Sequence, residues 1–313
     1  MNWTTLKKPI IGLSPMDGIT DPAFREIVDK YGRPDVLFTE FVSVEGLAHG
    51  AKPLLKSLQK HVTKTPIVAQ LFGSDLKAYK KAAEIVCSLG FDGIDINMGC
   101  PDKNINKKGG GAALIGRPIL AQDIIKTVKE TVEKTKKSIP VTVKTRIGLD
   151  KIITEDWMNT LLKAKPDAIT LHGRTLIQMY KGYSDWDEIN KARILVKAQN
   201  ILFLGNGDIK SVPQGKEFAN KYELDGVLIG RSSLGNPWLF NETTPSIKER
   251  FKVMIEHSKL YLKYRPDLQL YPMRKHLAWY CTGFEGSRKV RDQLMKVVEM
   301  GDLESILQSI KIN

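Results

Sequence analysis

Ile94-Asp-Ile-Asn-Met-Gly-Cys-Pro101 reads as an apolar strand that ends in an amide, Asn97, and then turns tightly through Gly-Cys-Pro, carrying Cys100. A small buried cysteine beside a turn is the plain alternative, because free cysteines mostly behave as small hydrophobes. The same pattern, an apolar run closed by a polar residue, recurs along the chain. Runs of strand length lie at 10–15, 36–42, 66–72, 93–97, 141–145, 168–172, 201–205 and 226–230. Most are near-continuous rather than alternating, which suits parallel strands covered on both faces. Helical stretches separate them. Residues 75–88 place Leu76, Tyr79, Ala82, Ala83 and Val86 at the spacing of one helix face, and 121–136 and 156–165 read alike. Eight strand–helix alternations predict an α/β fold, a (β/α)8 TIM barrel. A doubly wound sheet is the competing architecture, but no GxGxxG follows a strand. The run Gly109-Gly110-Gly111 has Leu114 in its sixth position.

The bulk numbers narrow the setting. With 313 residues and 42% hydrophobic content, the chain can form one large domain and one small one. The N-terminal stretch has no apolar run of a signal peptide, and no run reaches membrane-spanning length. The three cysteines, at 87, 100 and 281, form neither a CxxC pair nor a metal-ligand spacing with the five histidines. No metal is therefore expected, and a reducing, cytoplasmic setting is. A net charge of +13 favours a polyanionic partner.

In a barrel of this type chemistry gathers at the carboxyl ends of the strands. Those ends deliver Ser14-Pro15-Met16-Asp17, Gln70, Asn97 with Cys100, Lys144 with Arg146, His172, Asn206-Gly207-Asp208 and Gly230-Arg231. Meeting solvent explains one or two polar strand ends. It explains poorly a thiol, a lysine, a histidine and an amide that each follow a long apolar run. The glycine-rich ends of the last two strands are expected to hold a phosphate on backbone N–H groups, with Arg231 adding charge.

The chain resembles the tRNA-dihydrouridine synthases of bacterial type, which are FMN-dependent flavoenzymes. The matching stretches are Ser14-Pro-Met-Asp-Gly-Ile-Thr-Asp21, Gln70-Leu-Phe-Gly73, Asn97-Met-Gly-Cys-Pro101, Val143-Lys-Thr-Arg-Ile-Gly148, His172-Gly-Arg-Thr175, Tyr180-Lys-Gly-Tyr-Ser-Asp-Trp186, Gly205-Asn-Gly-Asp208 and Gly230-Arg231 leading into Asn236-Pro-Trp. Met273-Arg-Lys-His276 and Trp279-Tyr280 resemble the family's C-terminal helical domain. Asp17 and Ser184 stand where the family usually has alanine.

The resemblance implies saturation of the C5–C6 bond of a uracil base within tRNA. A reduced nicotinamide, NADPH or NADH, reduces FMN, and hydride then passes to C6. The carbanion left at C5 needs a proton, and a thiol, mostly protonated at neutral pH, can supply it, so Cys100 is the expected donor. Lys144 is expected at the flavin's pyrimidine edge with His172 beside it, and Gln70 and the Pro15-Met16 backbone against the ring. Asn97, Arg146 and Tyr180 are expected to meet the substrate. Residues 102–111, with Lys103, Lys107 and Lys108, are expected as a flexible loop that closes over an extruded base.

After Phe240 the pattern turns helical, with helices expected over 247–264, 271–283 and 286–300 and a short one after Gly301. The expected division is a catalytic barrel over 1–240 and a helical tRNA-binding domain over 241–313. Residues 245–313 carry 13 Lys+Arg against 8 Asp+Glu, a denser excess than in the rest of the chain. Arg274, Lys275, Arg288, Lys289 and Arg291 are expected to track phosphates, the protein acting as a monomer. Two other readings are a flavin dehydrogenase of free pyrimidines, of the dihydroorotate type, and a tRNA-binding protein without redox chemistry.

Overall fold

The computed structural model describes residues 2–310. Its eight strands are β1 (Ile10–Leu13), β2 (Val36–Ser43), β3 (Ile67–Phe72), β4 (Gly93–Met98), β5 (Val141–Arg146), β6 (Ala168–His172), β7 (Leu202–Asn206) and β8 (Gly226–Ile229). Each pairs in parallel with the next, and β8 pairs with β1, so the sheet closes into a barrel in sequence order. Every crossover contains helix, as parallel pairing requires. The expected helices shift by a few residues. They run Leu76–Ser88, Pro118–Lys134 and Thr154–Leu162, the second beginning early because Pro118 occupies its first turn.

Strand alternation splits the barrel's side chains into two sets. The outward set, including Ile94, Ile96, Val143, Ile169 and Leu171, packs against the helices in the main core. The inward set is apolar at the amino end of the strands, where Ile10, Val36, Phe38, Val68, Ala168, Leu202, Leu204 and Leu228 surround Trp3. Towards the carboxyl end the inward positions become Gln70, Asn97, Lys144, His172 and Asn206, all of which line one cavity. The runs look continuously apolar because the outward and lower inward positions are both buried. The polar residues that line the cavity interrupt them at the rim, with Asp95 and Thr142 one inward layer below.

The C-terminal helices are Ile247–Tyr264, Arg274–Tyr280, Ser287–Leu294 and Met300–Gln308. Ser246 and Glu249 form a reciprocal capping box at the start of the first, so its boundaries match the expectation. The second is shorter than expected, being preceded by a 3-10 turn at Tyr271–Met273, and the third stops at Leu294. This bundle has its own apolar core, which includes Ala23 and Ile27 from the helix Pro22–Tyr31 of the barrel. Glu256 receives Lys30 at 2.5 Å and the Tyr31 hydroxyl at 2.6 Å across the same contact. Among the described residues no helix is long and apolar enough to cross a membrane.

Candidate active site

A cavity of about 1270 Å³ opens at the carboxyl end of the barrel. It is lined by Ser14, Pro15, Met16, Asp17, Gln70, Asn97, Cys100, Lys103, Lys144, Arg146, His172, Tyr180, Asn206, Gly207, Asp208, Gly230 and Arg231. Every barrel residue expected in the site thus reaches one space.

Cys100 is 8% exposed and sits at the turn after β4. The Asn97 carboxamide oxygen accepts the N–H groups of Gly99 at 3.0 Å and Cys100 at 2.8 Å, which folds the turn. Burial pushes the Cys100 thiol up, and Asp102 and Asp17 add to this, against the Asp102 N–H that lowers it. The sulfur is therefore a thiol at neutral pH. Asn97 also donates to Gln70 Oε1 at 3.0 Å, so only one of its amide hydrogens remains for a ligand.

Lys144 projects inward from β5, abreast of Asn97 on β4. Its ammonium donates to Asn206 Oδ1 at 3.0 Å, leaving two N–H bonds with no acceptor among the described residues. Burial, reinforced by the Arg146 charge, lowers its pKa to about 8. Arg146 bridges loops instead of standing free. It donates to the carbonyls of Gly99 at 2.7 Å and Thr175 at 3.2 Å. His172 is driven well below its ordinary range by burial and then by Arg146, Lys144, Arg174 and Arg231, so its ring is neutral.

Arg174 is the strand-end residue whose role sequence spacing did not single out. It is 1% exposed and donates to Asp208 Oδ2 at 2.7 Å, Ser184 Oγ at 3.0 Å and the Gly182 carbonyl at 2.7 Å. It thereby ties the loop after β6 to the loop after β7. Its position two residues past a strand end was the available signal. Arg231 pairs with Asp208 Oδ1 at 2.9 Å and lies 5.1 Å over the Tyr180 ring.

The fit to FMN can be tested on these atoms. The backbone N–H groups of Gly207, Asp208, Gly230 and Arg231 donate to no protein acceptor among the described residues. Two such strand-end loops side by side form an anion cradle. Gly207 has φ +128°, and a Cβ there would lie 1.9 Å from Ser184 Oγ, so only glycine fits. Trp186, which also lines the cavity, has a buried Nε1 with no partner among the described residues. With Lys144, Arg146, Arg174 and Arg231 around the space, the residues fit an anionic, polar-edged group such as FMN.

Two expectations need detail from the structure. Within 102–111, expected as a flexible loop, Lys103–Lys107 form a helical turn, and Gly111–Gly116 follow as a 3-10 turn. Asp102 caps that helical turn by accepting from the N–H groups of Asn104 and Ile105, and Asn106 donates to the Cys100 carbonyl at 2.8 Å. The basic tail residues do not form one free face. Arg274 donates to the Val297 carbonyl at 2.7 Å, and Arg291 to that of Cys281 at 3.0 Å, while Arg288 is exposed. Lys275 instead reaches the barrel, where a Cβ built on Gly18 would lie 3.0 Å from its Nζ, and it opposes the burial that raises Asp17.

A closed parallel barrel with a thiol and a cation-lined anion cradle at its carboxyl rim defines a β/α-barrel enzyme. The profile of the family described as dihydrouridine synthase (Dus) matches residues 12–313. A probable tRNA-dihydrouridine synthase 1 from Synechocystis sp. is 35% identical over 307 residues, 94% of this chain and 84% of that one. A probable tRNA-dihydrouridine synthase from Staphylococcus aureus is 33% identical over 318 residues, 99% and 95% of the two chains. Among solved structures, morphinone reductase aligns at TM-score 0.53 and 10% identity, covering 77% of this chain and 87% of that one, a likeness of fold. The chain belongs to the dihydrouridine synthase family, and is an oxidoreductase that uses flavin to reduce uridine in tRNA.

Proposed function

We propose that the chain converts specific tRNA uridines to 5,6-dihydrouridine by adding a hydride at C6 and a proton from Cys100 Sγ at C5. FMN, when bound, supplies the hydride. The protein's own part begins with the phosphate, held on the N–H groups of Gly207, Asp208, Gly230 and Arg231. Lys144 sets a cation against the pyrimidine edge of the ring, where negative charge accumulates, and neutral His172 adds a hydrogen-bonding group there. Ser14, Pro15, Met16, Asp17, Gln70 and Asn206 frame the ring. The remaining Asn97 amide hydrogen, Arg146, Tyr180 and Lys103 meet the extruded nucleotide.

Hydride addition at C6 leaves an electron pair delocalised from C5 onto the C4 carbonyl. The Cys100 S–H bond breaks, its proton goes to C5, and the thiolate is reprotonated from solvent. The observation that carries this reading is a single thiol in the cavity, kept protonated by its burial. NADPH or NADH restores the reductant, binding only transiently. The helical domain 241–313 orients the tRNA through Lys275 and Arg288, with Arg274 spent on the Val297 carbonyl, in a cytoplasmic monomer.

The test is purified flavin-loaded protein with unmodified tRNA and NADPH or NADH, with dihydrouridine read by mass spectrometry. Wild type forms dihydrouridine, and Cys100→Ala forms it at least ~100-fold more slowly while keeping its flavin, the size expected for loss of a general acid. Equal rates would remove Cys100 from this role. Turnover of free uracil or orotate without tRNA would replace the tRNA reading by the free-pyrimidine one.

A further inference from the structure

Beneath the cavity floor lies a carboxylate the mechanism does not use. Asp95 is 1% exposed, on β4, one inward position below Asn97. Its Oδ1 accepts from Thr142 Oγ1 at 2.6 Å and its Oδ2 from Gln70 Nε2 at 2.6 Å. Strand register sets this up, because Gln70, Asp95 and Thr142 stand abreast on β3, β4 and β5.

An ionised carboxylate only accepts hydrogen bonds. Gln70 must therefore turn its NH2 group towards Asp95 and its oxygen towards Asn97. Asn97 must then donate to that oxygen, which it does at 3.0 Å, and its own oxygen is left for the N–H groups of Gly99 and Cys100. Each amide has one orientation that satisfies both neighbours. The chain of polarity begins at Asp95 and ends on the backbone of the thiol-bearing residue. An amide facing the wrong way here would set oxygen against oxygen in a buried site, a costly arrangement.

We propose that Asp95 is a positioning residue that, acting through Gln70 and Asn97, fixes the amide orientations holding the Cys100 turn in its proton-donating geometry. The inference rests on Cys100 being the proton donor. It assigns Asp95 no contact with substrate or flavin.

A polarity-swap cycle tests it. Asn97→Asp puts an acceptor against Gln70 Oε1 and breaks the chain. Adding Asp95→Asn to the same protein lets Gln70 reverse, donating to the new carboxylate at position 97 and accepting from the new carboxamide at position 95, so the chain closes again. Adding Asp95→Val to Asn97→Asp instead also removes the second negative charge but supplies no donor. Two readouts are taken. One is the single-turnover rate of dihydrouridine formation in the flavin-loaded protein. The other is the rate of Cys100 alkylation by iodoacetamide in flavin-free protein, mapped by peptide mass spectrometry.

The expected result is a loss of at least tenfold in turnover for Asn97→Asp and a changed alkylation rate. The double variant with Asp95→Asn recovers most of the alkylation rate and only part of the turnover, because position 97 no longer offers the amide hydrogen that meets the nucleotide, and the double variant with Asp95→Val recovers neither. Equal recovery by the two double variants would reduce Asp95 to a nearby charge, and additivity of the single changes would leave it no coupling to Asn97; either result overturns the proposal. If wild type makes no dihydrouridine, the functional reading fails, and the alkylation cycle still decides whether the chain of amides holds the turn.

Discussion

At the scale of single residues the site is governed by burial acting on charge. Lys144 holds its proton below about pH 8, because burial and the neighbouring Arg146 favour the neutral amine. A cation at the ring edge is thus present at neutral pH and lost above it. Uridine reduction in single turnover should decline at some pH above about 8, the flavin's negative charge moving the midpoint upward, and Lys144→Met should abolish that limb together with most of the rate. A wild-type profile flat to pH 9.5 would contradict this role. Asp95 carries the opposite sign, since burial raises its pKa to about 6 from 3.8. The folded protein binds this proton more tightly than the unfolded chain, so wild type loses stability relative to Asp95→Asn as pH rises from about 4 through 6. Urea unfolding at pH 5 and pH 7.5 should show the variant's advantage growing by about 1–2 kcal/mol, and a constant gap would refute it. Cys100 and Lys144 were legible because each interrupts an apolar run. Asp95 was not, because one acidic residue within a strand carries no label for the neighbours that surround it.

At the scale of elements the rim is a set of loops pinned by a few side chains. Gly207 shows how tight this is, with its left-handed φ of +128° and a Cβ that would overlap Ser184. Gly207→Ala should cost about 2 kcal/mol or more of local strain and eject the flavin, read as loss of the yellow spectrum after gel filtration. Retention of stoichiometric flavin would show that the loop after β7 does not form the cradle. The turn at 103–107 lies in the stretch 102–111, which was expected as loop because it holds three lysines and three glycines. It is helical because Asp102 satisfies two N–H groups and Asn106 ties it to the Cys100 carbonyl. These are contacts of side chain with backbone, which periodicity does not register.

At the scale of the whole molecule the C-terminal helices sit on the barrel helix Pro22–Tyr31 and send Lys275 to the rim. Lys275→Glu and Arg288→Glu should each weaken tRNA binding and lower the slope of log K against log salt by about 1, with flavin content unchanged. Filter binding across a salt series reads both effects, and unaltered slopes would take the tRNA off this surface.

The order and length of the apolar runs determined the barrel from sequence alone. A buried parallel strand has to be apolar on both faces, and only eight of them in alternation with helices close the sheet in chain order. The polar residues that end those runs fixed which side chains would share the cavity, because strand ends of a closed barrel converge. Only the tertiary structure decided which basic tail residues are spent on carbonyls and which reach the rim. It also decided that Arg174 joins two loops and that Asp95 orders a chain of amides. Those facts depend on the lateral register of neighbouring strands and on the docking of one core against another, which are long-range geometry that no local run of residues encodes.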